Sequence, residues 1–334
     1  MKAWFWWPSI IAATGASAQM QSSGAGQAAP STGSGQAFPS KPVRFLVPFP
    51  PGGGADVIGR VIALKLVEKW GKQVVIDNRA GAGGNIAAEL AAAAAPDGHT
   101  IFQFNIANAI AGSLYKKLNY DPIKDFSAVT LLASSPFILV THPGVKASNV
   151  QELVALAKAQ PGKLAYASSG NGGPSHLATE LLKTMTQIGL IHVPYKGVAL
   201  ALNELLGGQI QIMFTVPATA MPHMKAGRLR GLAVSGAKRS PLAPELPTVA
   251  ESGVAGYEAI TWYAVVVPAG TPRAVIAKLH TDITQVLQQL EVRERLTGVG
   301  VELIGSTPDQ LALFIKAEIA KWSRLVKFSE ARID

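Results

Sequence analysis

Cysteine is absent from all 334 residues, which excludes disulfides, thiolate metal sites, thiol redox chemistry and cysteine nucleophiles. Charge is sparse too. Charged residues make up 15% of the chain, and its Lys and Arg are scattered, with no basic run interleaved with aromatics, which argues against nucleic acid as a partner. No segment beyond the N-terminal region reaches the ~20 apolar residues of a membrane span. His99, His142, His192, His223 and His280 lack metal-binding spacing such as H-x-x-x-H. No metal and no cofactor is expected.

The length allows a large core and suggests two domains. A hydrophobic content of 48% with alternating strand and helix patterns points to the α/β class. The net charge of +9 becomes +8 without residues 1–37 (9 − 1, Lys2 being the only charge there), a balance that favours acidic ligands. Lys2, the apolar run Ala3 to Ala13 and Ala16-Ser17-Ala18 read as an export signal over residues 1–18, though Trp4, Trp6, Trp7 and Pro8 make it atypical. Residues 19–37 are Gly, Ser, Ala and Gln with almost no large apolar group, and read as a flexible linker.

Three stretches share one design: a β-type run, a glycine-crowded loop, then a helical pattern. They are Val43 to Phe49 with Pro50-Pro51-Gly52-Gly53-Gly54-Ala55-Asp56, Val74 to Ile76 with Gly81-Ala82-Gly83-Gly84-Asn85, and Leu164 to Ala167 with Ser168-Ser169-Gly170-Asn171-Gly172-Gly173. Glycine lets the backbone approach a ligand, and the free N–H groups of a helix's first turn carry partial positive charge toward it. A small anion is the ligand such loops imply.

Thr271-Pro272 predicts an N-cap and first helical position, followed by the apolar stripe Ile276, Leu279, Ile283, Val286 and Leu290. Thr307-Pro308-Asp309-Gln310 predicts a capping box before Leu311, Phe314, Ile319, Trp322 and Val326. Other helices are expected from Asp56 to Trp70, ending at Gly71, and from Ser148 or Asn149, stopping before Pro161-Gly162. Two β-type runs are oddly placed. Ala128 to Val140 exceeds a normal strand and holds Ser134-Ser135-Pro136, while Thr261 to Val267 precedes the C-terminal helices. They read as paired crossings between two lobes, the first lobe being discontinuous.

Nucleotide readings fail at specific residues. The first loop lacks the Gly-Lys-Ser/Thr ending of a P-loop, and Ile86 stands where a dinucleotide fingerprint needs a third glycine or alanine. Ser175-His176 does not fit a G-x-S-x-G elbow, because Leu177 follows. Neighbouring helical residues diverge by roughly 100°, so His176 would not reach Ser175 as a base. Capping or ligand contact is the better use.

Lys41-Pro42-Val43-Arg44, Phe49 to Asp56, Asn78 to Asn85, Pro96-Asp97-Gly98-His99-Thr100, Tyr166 to Gly172, His192 to Gly197 and Trp262 through Pro268-Ala269-Gly270-Thr271-Pro272 together resemble the Bug (TctC-like) family. These are periplasmic substrate-binding proteins of tripartite tricarboxylate transporters. The resemblance runs in order from about Phe38 to the end. It implies a two-lobed periplasmic-binding-protein fold of the type II kind with two hinge-crossing strands, lobe 1 spanning residues 38–138 and 264–334 and lobe 2 residues 139–263. It implies no catalysis, a monomer in the periplasm, and membrane transporter subunits as partners. A ligand sensor of the same fold is the alternative, and an exported serine hydrolase a remoter one.

In that family a carboxylate sits between the lobes. The corresponding positions here are Phe49, Gly53, Gly54, Ala55 and Asp56, then Ser168, Ser169, Gly170, Asn171 and Gly172, with Thr215 from the second lobe. Asp56 is expected as a helix cap or water holder, since like charges repel. Two departures stand out: His99 replaces a tyrosine in what reads as a surface turn, and Thr215 stands where many members carry aspartate or another polar residue. Thr215, Val216 and Pro217 offer a hydroxyl and apolar surface but no acid, so a mono- or dicarboxylate without an amino group is expected.

Overall fold

The computed structural model describes residues 38–298 and 300–329, with side chains of the last helix described through Ser323. The expected leader and linker, residues 1–37, lie outside the described residues, as does the Val326 side chain.

The chain first forms β1 (Val43–Val47), α1 (Gly54–Trp70), β2 (Val74–Asn78), α2 (Asn85–Ala92), β3 (Thr100–Asn105), α3 (Ile106–Leu114) and β4 (Phe126–Pro136). It continues through β5 (Ile138–Thr141), α4 (Val150–Ala159), β6 (Ala165–Ser168), α5 (Pro174–Thr186), β7 (Ile191–Pro194), α6 (Val198–Leu206), β8 (Ile212–Thr215), α7 (Pro217–Lys225) and β9 (Arg230–Val234). It ends with β10 (Ile260–Pro268), α8 (Arg273–Gln288), α9 (Leu290–Thr297), β11 (Glu302–Leu303) and α10 (Pro308–Ser329).

Two sheets result, ordered β11-β4-β10-β3-β1-β2 and β7-β6-β8-β5-β9. In the first, β1 runs parallel to β2 and β3, and β10 lies antiparallel between β3 and β4. Every residue of β1 except Arg44 is fully buried, as a parallel strand covered on both faces requires. Arg44 escapes by pairing with Asp77 of β2 at 2.6 Å. In the second sheet β6 is parallel to β7 and β8, while β5 is antiparallel to β8 and β9.

The overlong run from Ala128 is two strands in two sheets. β4 ends at Pro136, Phe137 makes the passage, and β5 begins at Ile138. The chain returns before β10, whose nine residues pair along β4 with two bulges. Fully buried Ser235 ties both passages together. Phe137 N–H donates to its Oγ (2.7 Å), and its own N–H donates to Phe137 O (2.9 Å). Ser235 Oγ–H donates to Ala259 O, and Ala259 N–H donates back to Ser235 O (3.0 Å).

Three expectations are corrected. Pro272 is the N-cap of α8 rather than its first residue, because Thr271 Oγ1 donates to Pro268 O (2.7 Å) instead of capping. The apolar stripe stops at Leu287; Leu290 begins a separate helix and is 71% exposed. His99 is no surface residue: its ring packs edge-on against Phe38, and Nε2 accepts from Ser40 N–H at 3.2 Å.

One apolar cluster runs from the first sheet into the second through Phe104, Trp262, Phe137 and Phe214. Two others cover the outer faces, one under α1 and α8, the other under α6 and α7. Glu318 of α10, nearly buried, accepts the indole N–H groups of Trp262 (2.8 Å) and Trp322 (3.1 Å), fastening the last helix to β10. Replacing it leaves two buried donors unpaired. Glu318→Ala should therefore destabilise the protein by about 2–4 kcal/mol in urea unfolding, and Glu318→Gln, which keeps an acceptor, by clearly less.

Candidate functional site

A cavity of about 260 Å³ lies between the two sheets, and four helices begin at its wall. Gly53, Gly54 and Ala55 bring the start of α1, Pro174 and Ser175 that of α5, Gly197 to Leu200 that of α6, and Thr215 and Val216 that of α7. The N-caps are Gly53, Gly173, Gly197 and Val216, and none supplies a side-chain cap. α3, α4 and α10 by contrast are capped by Asn105, Asn149 and Thr307. Free N–H groups and four positive helix ends thus face one space.

No carboxylate answers them. Among the described residues lining the cavity, Lys196 carries the only formal charge, and the remaining walls are mostly apolar, including Phe49, Phe137, Val198, Met213 and Phe214. Thr215 lines it as well; its Oγ1 is buried and has no hydrogen-bond partner. Burial pushes the Tyr263 phenol up to about 12, so it stays a neutral hydroxyl in the wall.

A Cβ on Gly53 would meet Val198 at an ordinary 3.5 Å, whereas one on Gly54 would stand 2.9 Å from Tyr263 Oη. Asp56 lies behind the loop, outside the cavity lining. Its Oδ2 accepts from Gly52 N–H (3.0 Å) and Arg60 Nε (2.9 Å), and its Oδ1 from Asn78 Nδ2 (3.0 Å). Burial opposes its ionisation, but the Arg60, Gly52 and Asn78 hydrogen bonds outweigh that and hold the carboxyl below its ordinary value. Asn78 also donates to Phe49 O (2.9 Å), so Asp56 and Asn78 pin the loop to β2. Sequence reasoning quoted Asn78 without giving it this task.

The third glycine loop divides between two chambers. Ser169 reaches the inner cavity, where its N–H donates to Ser175 Oγ at 3.1 Å. Gly170 and Asn171 line an outer chamber of about 540 Å³, shared with Gly81 to Gly84 of the second loop. Tyr115, which also lines this chamber, donates from Oη to Asn171 O (3.3 Å). Ser168 and Gly172 line neither chamber and are held from behind. Ser168 Oγ lies 2.6 Å from His192 Nε2, and Gly172 N–H donates to His176 Nδ1 at 3.0 Å. His176 thus serves the loop and makes no bond to Ser175.

The sequence profile of the tripartite tricarboxylate transporter family receptor (TctC) matches residues 58–330. The chain belongs to that family. TctC and Bug proteins are periplasmic substrate-binding receptors, not enzymes, which removes the hydrolase reading of Ser175. BugT of Bordetella pertussis is 36% identical over 296 residues, covering 88% of this chain and 91% of its own. An R. palustris protein solved with adipate is 36% identical, with a TM-score of 0.84 over 88% of this chain and 98% of its own. MatC from Rhodopseudomonas palustris, solved with bound malate, is 32% identical, with a TM-score of 0.83 over 86% and 100%.

The histidines behind this TctC-family loop make stability depend on pH. Burial lowers His176 below its ordinary value of 6.5, and burial with His176 and Lys183 nearby takes His192 down to about 3. His192 stays neutral in the folded protein where the unfolded chain protonates near 6.5, and His176 is shifted in the same direction, so their stabilisation is present above 6.5 and lost on acidification. Unfolding free energy should fall as pH drops from 6.5 toward 5, by up to ~1.4 kcal/mol per unit for each histidine. Denaturant titrations at several pH values check this, against a flatter profile for the His176→Asn, His192→Gln double variant.

Proposed function

We propose that this protein is an extracytoplasmic solute receptor. It closes around a small mono- or dicarboxylate lacking an amino group and delivers it to the membrane subunits of a tripartite tricarboxylate transporter. The observation that carries the ligand class is the convergence of four uncapped helix N-termini on a cavity without a lining acid. Such a wall attracts a carboxylate and offers a buried ammonium nothing to pair with, a mismatch of several kcal/mol. Adipate and malate, named with two similar solved structures, are acids of this class.

One end of the ligand meets the N–H groups of Gly53 to Ala55 and the Ser169 region. The body rests on Phe49, Phe137 and Met213, and the unpartnered Thr215 hydroxyl meets the other end. Closure is a ligand-driven population shift of the sheet holding β5 to β9 against the sheet holding β1 to β4, β10 and β11, about the passages joined by Ser235. Residues 1–18 direct export, leaving the mature chain in the periplasm with residues 19–37 as a linker.

Calorimetry with adipate, malate, pentanoate, benzoate, aspartate and glutamate tests the ligand class. Nitrogen-free acids should bind at least about tenfold more tightly than either amino acid. Tighter binding of aspartate or glutamate overturns the reading. Thr215→Val should weaken the preferred acid by about fivefold, the loss of one hydrogen bond. Small-angle scattering should show the radius of gyration falling at saturating ligand, and an unchanged radius would refute closure. A full-length product confined to the cytoplasm would refute export.

A further inference from the structure

Behind the Ser168–Gly172 loop lies a stack of rings that no ligand contact explains. The His176 and His192 imidazoles stand 4.0 Å apart at 5° between planes, and Tyr166 stacks on His192 at 4.7 Å and 15°. We propose that His176 and His192 are positioning residues: a stacked, uncharged pair that grips the two ends of the 168–172 loop and so aims Ser169 and the start of α5 into the cavity. This rests on reading the cavity as a carboxylate site.

The grip is one imidazole per end, and at His176 it dictates where the proton lies. His176 Nδ1 accepts from Gly172 N–H at 3.0 Å, so Nδ1 must hold a lone pair, and the ring's proton sits on Nε2, which lies 3.9 Å from Glu180 Oε1. Ser168 Oγ lies 2.6 Å from His192 Nε2, a hydrogen bond whose donor follows the His192 tautomer, and it also meets Gly170 O (3.2 Å) and accepts from Gly170 N–H (3.3 Å). His176 is then a neutral ring with its proton on Nε2. A proton added at His176 Nδ1 would set two donors against each other and release Gly172.

The surroundings keep the pair in that state. Parallel imidazoles at this separation repel if both are charged, and Lys183 adds a third cation nearby. Glu180, the acid that faces them, is already engaged by Tyr166 Oη at 2.5 Å and Lys183 Nζ at 2.7 Å. Two aliphatic side chains would fill the same volume but leave Gly172 N–H and the Ser168 hydroxyl without these partners. The hydrogen bonds to both ends of one loop therefore call for imidazole, while the stacking alone does not.

The test is adipate calorimetry on the purified protein and on His176→Leu, His176→Asn, His192→Leu and His192→Gln. An asparagine amide oxygen stands near the place of Nδ1, and a glutamine amide reaches that of Nε2. Folded leucine variants should bind adipate about tenfold more weakly, and the amide variants should return to within about threefold of wild type. Leucine variants that bind as wild type, or amide variants as weak as leucine ones, overturn the inference. Imidazole ¹⁵N spectra decide the matter if the leucine variants do not fold. His176 must show a bare Nδ1 and a protonated Nε2 at about pH 7, and a cationic ring or the opposite tautomer there overturns it. Wild-type protein that binds no acid of the panel overturns the carboxylate reading and this inference with it, whereas wild-type binding with indifferent leucine variants overturns this inference alone.

Discussion

The two passages of the chain between its sheets are held together at one serine. Ser235 spends its backbone N–H and C=O and both roles of its hydroxyl on the two places where the chain passes between sheets, Phe137 and Ala259. Four hydrogen bonds from a fully buried residue hold the outgoing and returning passages side by side, where either alone would be a single flexible connection. Because the two sheets are joined at this edge and by the apolar cluster around Trp262, their strand ends face each other across a gap instead of packing flat.

The chemistry of that gap follows from chain direction. In a strand–loop–helix unit the helix starts where the strand ends, so β1, β6, β7 and β8 each deliver a helix N-terminus to the cleft between the sheets. The same geometry in a protein with serine or aspartate caps would neutralise itself. Here glycine and valine occupy the cap positions, leaving the N–H groups for whatever enters. Asp56 shows how the one acid nearby avoids cancelling the field: Gly52, Arg60 and Asn78 turn its oxygens away from the cavity and toward the loop they stabilise.

Much of this was legible in the chain. The buried parallel strands, the glycine loops, the caps at Asn149 and Thr307, the break at Pro136 and the family motifs are local patterns, set by residue chemistry within a few positions. They pointed correctly to an α/β receptor fold. Strand β7 and helices α6, α7 and α9 left no such mark, since β7 is a half-exposed edge with Ile191 50% exposed and the helices are short. Leu290 fitted a helical stripe, yet the chain turns at Gln289 and puts it in solvent.

What the sequence determined by itself was the set of available groups: glycine caps, a threonine at position 215, and histidines without metal spacing. Only the tertiary structure decided their use, because use depended on contacts between residues far apart in the chain. Gly54 matters through Tyr263, Asp56 through Asn78, and His176 and His192 through one loop and each other. Four helix starts line one cavity only when two sheets bring them together, and no local pattern encodes that distance.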